Sequence, residues 1–142
     1  MIRTAAFAPF LLATTLLTAA TALASDPASL ALTFDTGANT GAVMVALYDE
    51  TGYAGGQPVR AARIDVAAGE HSVTFEGLPA GDYGVKAFHD LNGNGQMDTN
   101  PFGMPVEPYA FSNNAVGNMG PASWDRAKFS VSGAAAQTIS IR

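Results

Sequence analysis

Apolar residues in this chain recur at every second position, in short runs that Gly, Pro, Asn and Asp keep interrupting. Successive side chains on a strand point to opposite faces, so runs of this kind make half-buried strands and leave no continuous stripe for a helix. The first run places Leu30, Leu32 and Phe34 on one face, and Asp35 to Gly41 supplies a turn. The second sets Val43, Val45 and Leu47 against Met44, Ala46 and Tyr48. After the Gly-rich break from Thr51 to Pro58, a third carries Ile64 and Val66 inward, with Arg63 and Asp65 outward. His71, Val73 and Phe75 alternate with Ser72, Thr74 and Glu76. The Gly77 to Gly81 turn, rich in residues that permit or preset unusual backbone angles, leads into a fifth run of Tyr83, Val85, Ala87 and His89. Phe129 and Val131 make a sixth, and Ile139 and Ile141 a seventh.

Strands with one apolar face each hide those faces by packing two sheets about 10 Å apart. The expected fold is therefore all-β: a seven-stranded antiparallel β-sandwich, transthyretin-like or immunoglobulin-like, with one long ordered loop. The stretch from Phe75 to Val85 resembles the strand-turn-strand of transthyretin-like and collagen-adhesin B-type domains. That resemblance speaks to fold and not to activity. The chain has no cysteine, so burial must hold the fold together without disulfides, alone or with a bound ion.

The first residues have the layout of a secretory signal peptide: Arg3, then an uncharged stretch through Phe7, Phe10, Leu11, Leu12, Leu16 and Leu17, then small residues at Ala22 and Ala24. Cleavage is expected after Ala24, giving a signal peptide at 1–24 and a single domain at 25–142. Many Ala and Thr residues make the segment a poor permanent anchor. A periplasmic or secreted location follows, with no insertion in the membrane after cleavage. Removing Arg3 from the seven basic residues leaves six against twelve acidic ones. That balance argues against nucleic acids and anionic membranes as partners.

Between the fifth and sixth runs lies Asp90 to Arg126, far beyond the roughly 12–15 residues that a structureless connection usually reaches. Met97, Phe102, Met104, Val106, Tyr109, Phe111, Val116 and Trp124 are spaced through it, unlike a disordered segment. They are expected to pin a folded excursion to the strands. Tyr109 and Phe111 are expected to pack on the sheets, and Trp124 to serve as a core anchor or a binding platform.

The excursion opens Asp90-Leu-Asn-Gly-Asn-Gly-Gln-Met-Asp98. Side-chain oxygens fall at alternate positions, Asp90, Asn92 and Asn94, with Asp98 further on. Gly95 allows a sharp turn and Gln96 offers a carbonyl. This is the front of a calcium loop of the D-x-[DN]-x-[DN]-G type. Pro101 stands where an EF-hand has its bidentate Glu, so the segment is no EF-hand. Asn100, Glu107, Asn113 and Asn114 are candidates for the missing oxygens. Two carboxylates alone imply weak affinity, about 10⁻⁴ to 10⁻³ M. The same residues also make metal-free turns, and the sequence leaves both readings open.

His89-Asp-x-Asn-x-Asn-Gly-x-x-Asp-Thr-Asn100, Gly103-x-Pro-x-Glu107 and Phe111-Ser-Asn-Asn114 resemble a bacterial exported family, domain of unknown function twenty-one forty-one. The likeness runs from about Leu30 to the C-terminus. Where that family usually reads Glu-Gly-Tyr-Gly-Phe-Ser, this chain has Glu107-Pro-Tyr-Ala-Phe-Ser. The resemblance implies export, the sandwich and the loop as one unit, and carries no established activity.

Catalysis finds little support. There is no Cys nucleophile, and His71 and His89 lie in no triad motif. A catalytic zinc site usually wants about three protein ligands, often His. The purine-pathway hydrolase of the transthyretin-like fold ends in Tyr-Arg-Gly-Ser, whereas this chain ends Ile139-Ser-Ile-Arg142. The expected role is a non-catalytic exported binding or interaction module, its partner an envelope protein or a small ligand, with calcium as a weakly held cofactor. A structural accessory domain of the cell envelope is the alternative, and an enzyme of unknown class stands last.

Overall fold

The computed structural model describes residues 26–142, and the expected signal peptide, 1–24, lies outside them. Eight strands follow one another: β1 (Ala28–Thr36), β2 (Ala42–Tyr48), β3 (Arg60–Asp65), β4 (Ser72–Leu78), β5 (Gly81–Asp90), β6 (Tyr109–Phe111), β7 (Phe129–Val131) and β8 (Ala134–Ile141). Two four-residue helices join them, α1 (Glu50–Tyr53) and α2 (Trp124–Ala127). One sheet has the order β4-β1-β8. The other has the order β3-β2-β5-β6, with β7 also paired to β5.

Each of the seven runs of alternating residues contains a strand, although Val66 falls in a 3-10 turn just past β3 and His71 just before β4. Along β2 the buried residues include Val43, Val45 and Leu47, and along β5 they include Tyr83, Val85, Ala87 and His89, as period two requires. In β4 the spacing breaks, because Phe75 and Leu78 are both buried although three positions apart. A register shift against β1, where Leu30 faces Phe75 and Ala28 faces Leu78, absorbs the extra residue. The strand therefore runs through Gly77, where a turn was expected to begin.

Two expectations are corrected. The strand count is eight, because Tyr109–Phe111 pairs antiparallel with Phe88 to Lys86 inside the supposed loop. The pairing is also not wholly antiparallel, since β1 and β8 run side by side in the same direction from Ser29↔Ala134 to Thr36↔Ile141. Alternation fixes which face of a strand is buried and says nothing of its neighbour's direction. The parallel pair follows from that limit, and β6 is too short to show a period at all.

Buried residues of the two sheets form one cluster. Leu30, Leu32, Phe34, Ile139 and Ile141 come from the smaller sheet, and Val43, Val45, Leu47, Ile64 and Val85 from the larger. Each such side chain contributes about 1.5–3 kcal/mol on burial. A second cluster contains Tyr53, Phe111, Ala122 and Ala127, with Tyr48 and Trp124 packed against it. Gly84 in β5 makes room for it: a Cβ there would lie 2.9 Å from Tyr53 and 3.0 Å from Trp124. Asp49 caps α1, its carboxylate accepting the Gly52 amide at 2.7 Å, and so aims Tyr53 at that cluster. The Tyr53 hydroxyl then donates to the Ala122 carbonyl at 2.7 Å and ties the far part of the excursion down.

Candidate functional site: a self-braced excursion after Asp90

The end of β5 is fixed before the excursion begins. His89 is buried, and its Nε2 donates to the Thr40 carbonyl at 2.7 Å. Beside it, Gly41 has φ +67°, and a Cβ there would stand 2.0 Å from the Asp90 carbonyl oxygen. Only a residue without a side chain lets the β1–β2 turn press so closely on the base of the excursion.

Asp90 is fully buried, and backbone amides satisfy its charge. Oδ1 accepts from Gly93 at 2.9 Å and Asn94 at 3.2 Å, and Oδ2 from Gly95 at 2.7 Å. Charge-assisted bonds of this kind are stronger than neutral ones, which is how a carboxylate tolerates burial. Gly95 adopts φ +77°, the sharp turn its position calls for.

The Asn92 and Asn94 side-chain oxygens accept the Asn94 amide at 3.1 Å and the Gln96 amide at 3.0 Å. Their NH₂ groups both donate to the carboxylate of Asp98, that of Asn94 at 2.8 Å. Asp90, Asn92, Asn94 and Asp98 are thus brought into one hydrogen-bonded knot. Gln96 lies exposed at its edge.

Glu107 closes the knot from the other side. It is buried, with Oε1 accepting the Leu91 amide at 2.9 Å and Oε2 the Asp98 amide at 3.1 Å. Asn100 shapes the hairpin between them, its Oδ1 accepting from Phe102 at 2.9 Å and Met104 at 3.1 Å. Asn113 and Asn114 do not join this group. Asn113 pairs its amide with that of Gln137, and Asn114 bonds Ser140 N and Thr138 O along the edge of β8. Among the described residues, no group of three or more His, Cys, Asp and Glu side chains converges to hold a metal ion.

The expected apolar pins are largely corrected. Phe111 is buried and Met97 and Trp124 are half-buried, but Phe102, Met104, Val106, Tyr109 and Val116 are exposed. Polar side chains bonding to backbone hold the excursion in their place. Ser112, which the sequence reading passed over, is among them: fully buried, its Oγ accepts the Val85 amide at 2.9 Å and donates to the Ala127 carbonyl. Nothing in a single Ser announces this. The signal is its position directly after a strand too short to show a period.

Lys86 lies on the outer face of β5, its Nζ donating to the Tyr53 carbonyl at 2.8 Å and standing 4.2 Å from the Tyr53 ring centroid. Burial lowers its pKa from the ordinary lysine value. An open cleft of about 420 Å³ runs beside the excursion from Glu107 and Tyr109 to Val116 and Arg142. Another, about 410 Å³, lies at the other end of β5 between Asp49, Arg60, Asp82 and Tyr83.

Residues 35–140 match the model of a family described as an uncharacterized protein conserved in bacteria, DUF2141. The chain belongs to the DUF2141 family. That stretch contains the whole of the braced excursion, so the knot around Asp90 belongs to the DUF2141 unit and is no appendage to it. No curated protein and no solved structure matches this DUF2141 chain.

Proposed function

We propose that this chain is a non-catalytic exported binding or interaction module, periplasmic or secreted, in which a β-sandwich of transthyretin-like or immunoglobulin-like kind carries the excursion as its contact surface. The observation that supports this is where apolar surface is left uncovered. Among the described residues the exposed large apolar side chains are Leu91, Phe102, Met104, Val106, Tyr109, Val116 and Met119, all within one excursion. Such concentration marks an interaction site, whereas single scattered apolar residues need no explanation. The braces from Asp90, Asn100 and Glu107 bond the backbone between Leu91 and Met104 and so hold Leu91, Phe102 and Met104 out in a fixed arrangement, which lowers the ordering cost of binding.

The partner is an envelope protein or a small ligand. Photo-cross-linking in cell-envelope extract tests the reading, comparing the natural chain with a Phe102→Ser, Met104→Ser variant. Loss of the cross-linked product in the variant is the expected result. Equal products from both chains would remove the excursion from the contact surface.

Calcium is a second reading, supported by the convergence of Asp90, Asn92, Asn94 and Asp98. Turning the two Asn amides from Asp98 would present oxygens to a cation, with Gln96 adding its carbonyl. Asp90, Asn100 and Glu107 all spend their oxygens on backbone amides, so Asp98 is the one carboxylate of the group without such bonds, and water must complete the shell. In this reading the ion replaces amide groups around Asp98 and stiffens a turn that already holds its shape.

A further inference from the structure

Asparagine is followed by glycine twice in the chain, at Asn92-Gly93 and Asn94-Gly95, and both steps lie in the knot after β5. Such a step supports a covalent reaction of the chain with itself. The glycine nitrogen attacks the side-chain carbonyl carbon of the asparagine before it, ammonia leaves, and a succinimide ring closes. Glycine has no side chain to obstruct that approach. The other asparagines precede Thr40, Pro101, Asn114, Ala115 and Met119.

What the reaction needs surrounds each step in the same way. The Gly93 amide donates to Asp90 Oδ1 at 2.9 Å and the Gly95 amide to Oδ2 at 2.7 Å, so a single buried carboxylate is within reach of both protons that must be removed. The following amide points at the carbonyl under attack: Asn94 N donates to Asn92 Oδ1 at 3.1 Å, and Gln96 N to Asn94 Oδ1 at 3.0 Å. Negative charge gathers on that oxygen as the nitrogen adds, and an amide so placed stabilises it. The side-chain NH₂ groups are both held by Asp98, that of Asn94 at 2.8 Å, which fixes how each carbonyl is presented. Residues 92 to 95 are all exposed, so water reaches the ring once it has formed.

We propose that Asn92 and Asn94 are sites of self-modification, at which Asp90 assists closure of a succinimide on Gly93 or Gly95. The new bond joins the glycine nitrogen to the asparagine Cγ, and the bond from Cγ to the NH₂ group breaks. The glycine proton, taken up by Asp90 and passed through solvent, leaves in the ammonia. Water then opens the ring at either carbonyl and leaves an aspartate or an isoaspartate where the asparagine stood. No oxidant or reductant enters. Each residue reacts once and no substrate is turned over, so the inference stands apart from the reading of the excursion as a contact surface.

The product bears on the knot itself. Each event sets a carboxylate where an NH₂ group donated to Asp98, and like charges so close repel. The side chain of Asp98 loses a tie to the turn, while Asp90 keeps its bonds to the backbone. The excursion thus passes in one direction from a tied turn to a looser and more acidic one.

To test this, the natural chain is kept in dilute buffer, digested at intervals and mapped by mass spectrometry, beside the same chain held unfolded in guanidinium chloride. Asn92 and Asn94 are expected to show the mass gain of an NH₂-to-OH exchange about tenfold or more faster in the folded chain, because unfolding removes the placed base and the oxyanion donor. Asn113 and Asn114, which no glycine follows, should stay unchanged in the folded chain. Hydroxylamine, which cleaves a chain at a succinimide, should cut the folded chain after Asn92 or Asn94. Asp90→Asn keeps an acceptor but removes the base, and should slow both sites, whereas Asn94→Gln should leave Asn92 reacting alone. Conversion as fast or faster in the unfolded chain would overturn the proposal. So would a mass gain without hydroxylamine cleavage, or a folded Asp90→Asn chain that converts at the natural rate. Should Asp90→Asn fail to fold, the natural chain compared in the two solvents still decides.

Discussion

Glu107 Oε1 accepts the Leu91 amide at 2.9 Å, so the strand leaving the hairpin holds the first residue after β5. Its other oxygen holds Asp98, and the carboxylate is buried between the two. Glu107→Gln keeps one acceptor and turns an NH₂ toward a backbone donor. Leaving a buried donor unmet costs about 1–3 kcal/mol. Hydrogen exchange of the Leu91 and Asp98 amides should accelerate while the β1 and β2 amides stay protected. Unchanged exchange at both positions would show that the carboxylate is not a brace.

Ser112→Ala removes one hydroxyl that serves two elements. The Val85 amide loses its acceptor and the Ala127 carbonyl its donor, both in buried surroundings. The expected loss is again about 1–3 kcal/mol, read as a lower denaturant midpoint with an unchanged slope. A midpoint equal to that of the natural chain would mean that water takes over both bonds.

At Gly84 the effect is steric. An added methyl meets Tyr53 at 2.9 Å and Trp124 at 3.0 Å, in rings that already lie 5.4 Å apart between centroids. Overpacking of this kind costs about 1–3 kcal/mol. Gly84→Ala should therefore lower the melting temperature and shift the Trp124 fluorescence to the red, since Trp124 is the one tryptophan of the chain. Unaltered emission with an unaltered melt would contradict the packing described.

Alkaline pH should expose opposing contributions from three groups. Burial raises the pKa of Tyr53 above 10.0, and that of Tyr83 is raised too, chiefly by burial, with Arg60 opposing and Asp49 adding. The folded state thus holds those protons more tightly than the unfolded one. Their stabilisation is complete below pH 10 and is lost as pH rises through the raised values. Lys86 acts the other way: its pKa is lowered, so stability gains as pH climbs from that lowered value toward 10.5. Tyr53→Phe should flatten the loss of stability above pH 10, and Lys86→Met should steepen it. Denaturant melts across the alkaline range decide both signs.

Calcium, if it binds in the range of about 10⁻⁴ to 10⁻³ M, adds about 1.4 kcal/mol when present at ten times its dissociation constant. Melting temperature should rise with millimolar calcium and return with chelator. Asp98→Ala is the clean variant, because among the bonds described its side chain meets only the two Asn amides, so the calcium-free melt should barely move. Asp90→Ala strips the acceptor from three backbone amides and should lower the melt whether or not calcium is present. A melt that ignores both calcium and chelator removes the ion from the account.

Period two located the core because burial of one face is a repeated demand. Leu30, Leu32 and Phe34, or Val43, Val45 and Leu47, write it several times over. Tyr109–Phe111 could not be found that way: three residues contain no period, and Tyr109 points outward. Asp90, Asn92, Asn94 and Asp98 were legible as a group that converges, because Asn, Asp and Gly at alternate positions favour bonds to nearby backbone. Glu107 was legible only as a candidate ligand, since its use as a brace depends on a chain reversal at Pro101–Gly103 that brings distant amides to it. The apolar residues of the excursion misled for a related reason. Phe102 and Val106 have the composition of a core, and composition does not say whether a core is within reach.

The parallel pairing of β1 with β8 sets the order in which the fold can close. Ser29 to Thr36 lie along Ala134 to Ile141, and among the described residues every other element falls between them in sequence. A chain emerging N-terminus first can pair β1 with β4 early, yet one edge of β1 stays open until the last strand has arrived. Contacts so distant in sequence form slowly. Loss of even the final few residues, from Ile139 on, would leave Phe34 to Thr36 along an unpaired edge, the kind of surface on which chains aggregate. The final strand therefore acts as the latch of the domain, and truncation just short of Ile139 should cost the whole structure rather than its tail.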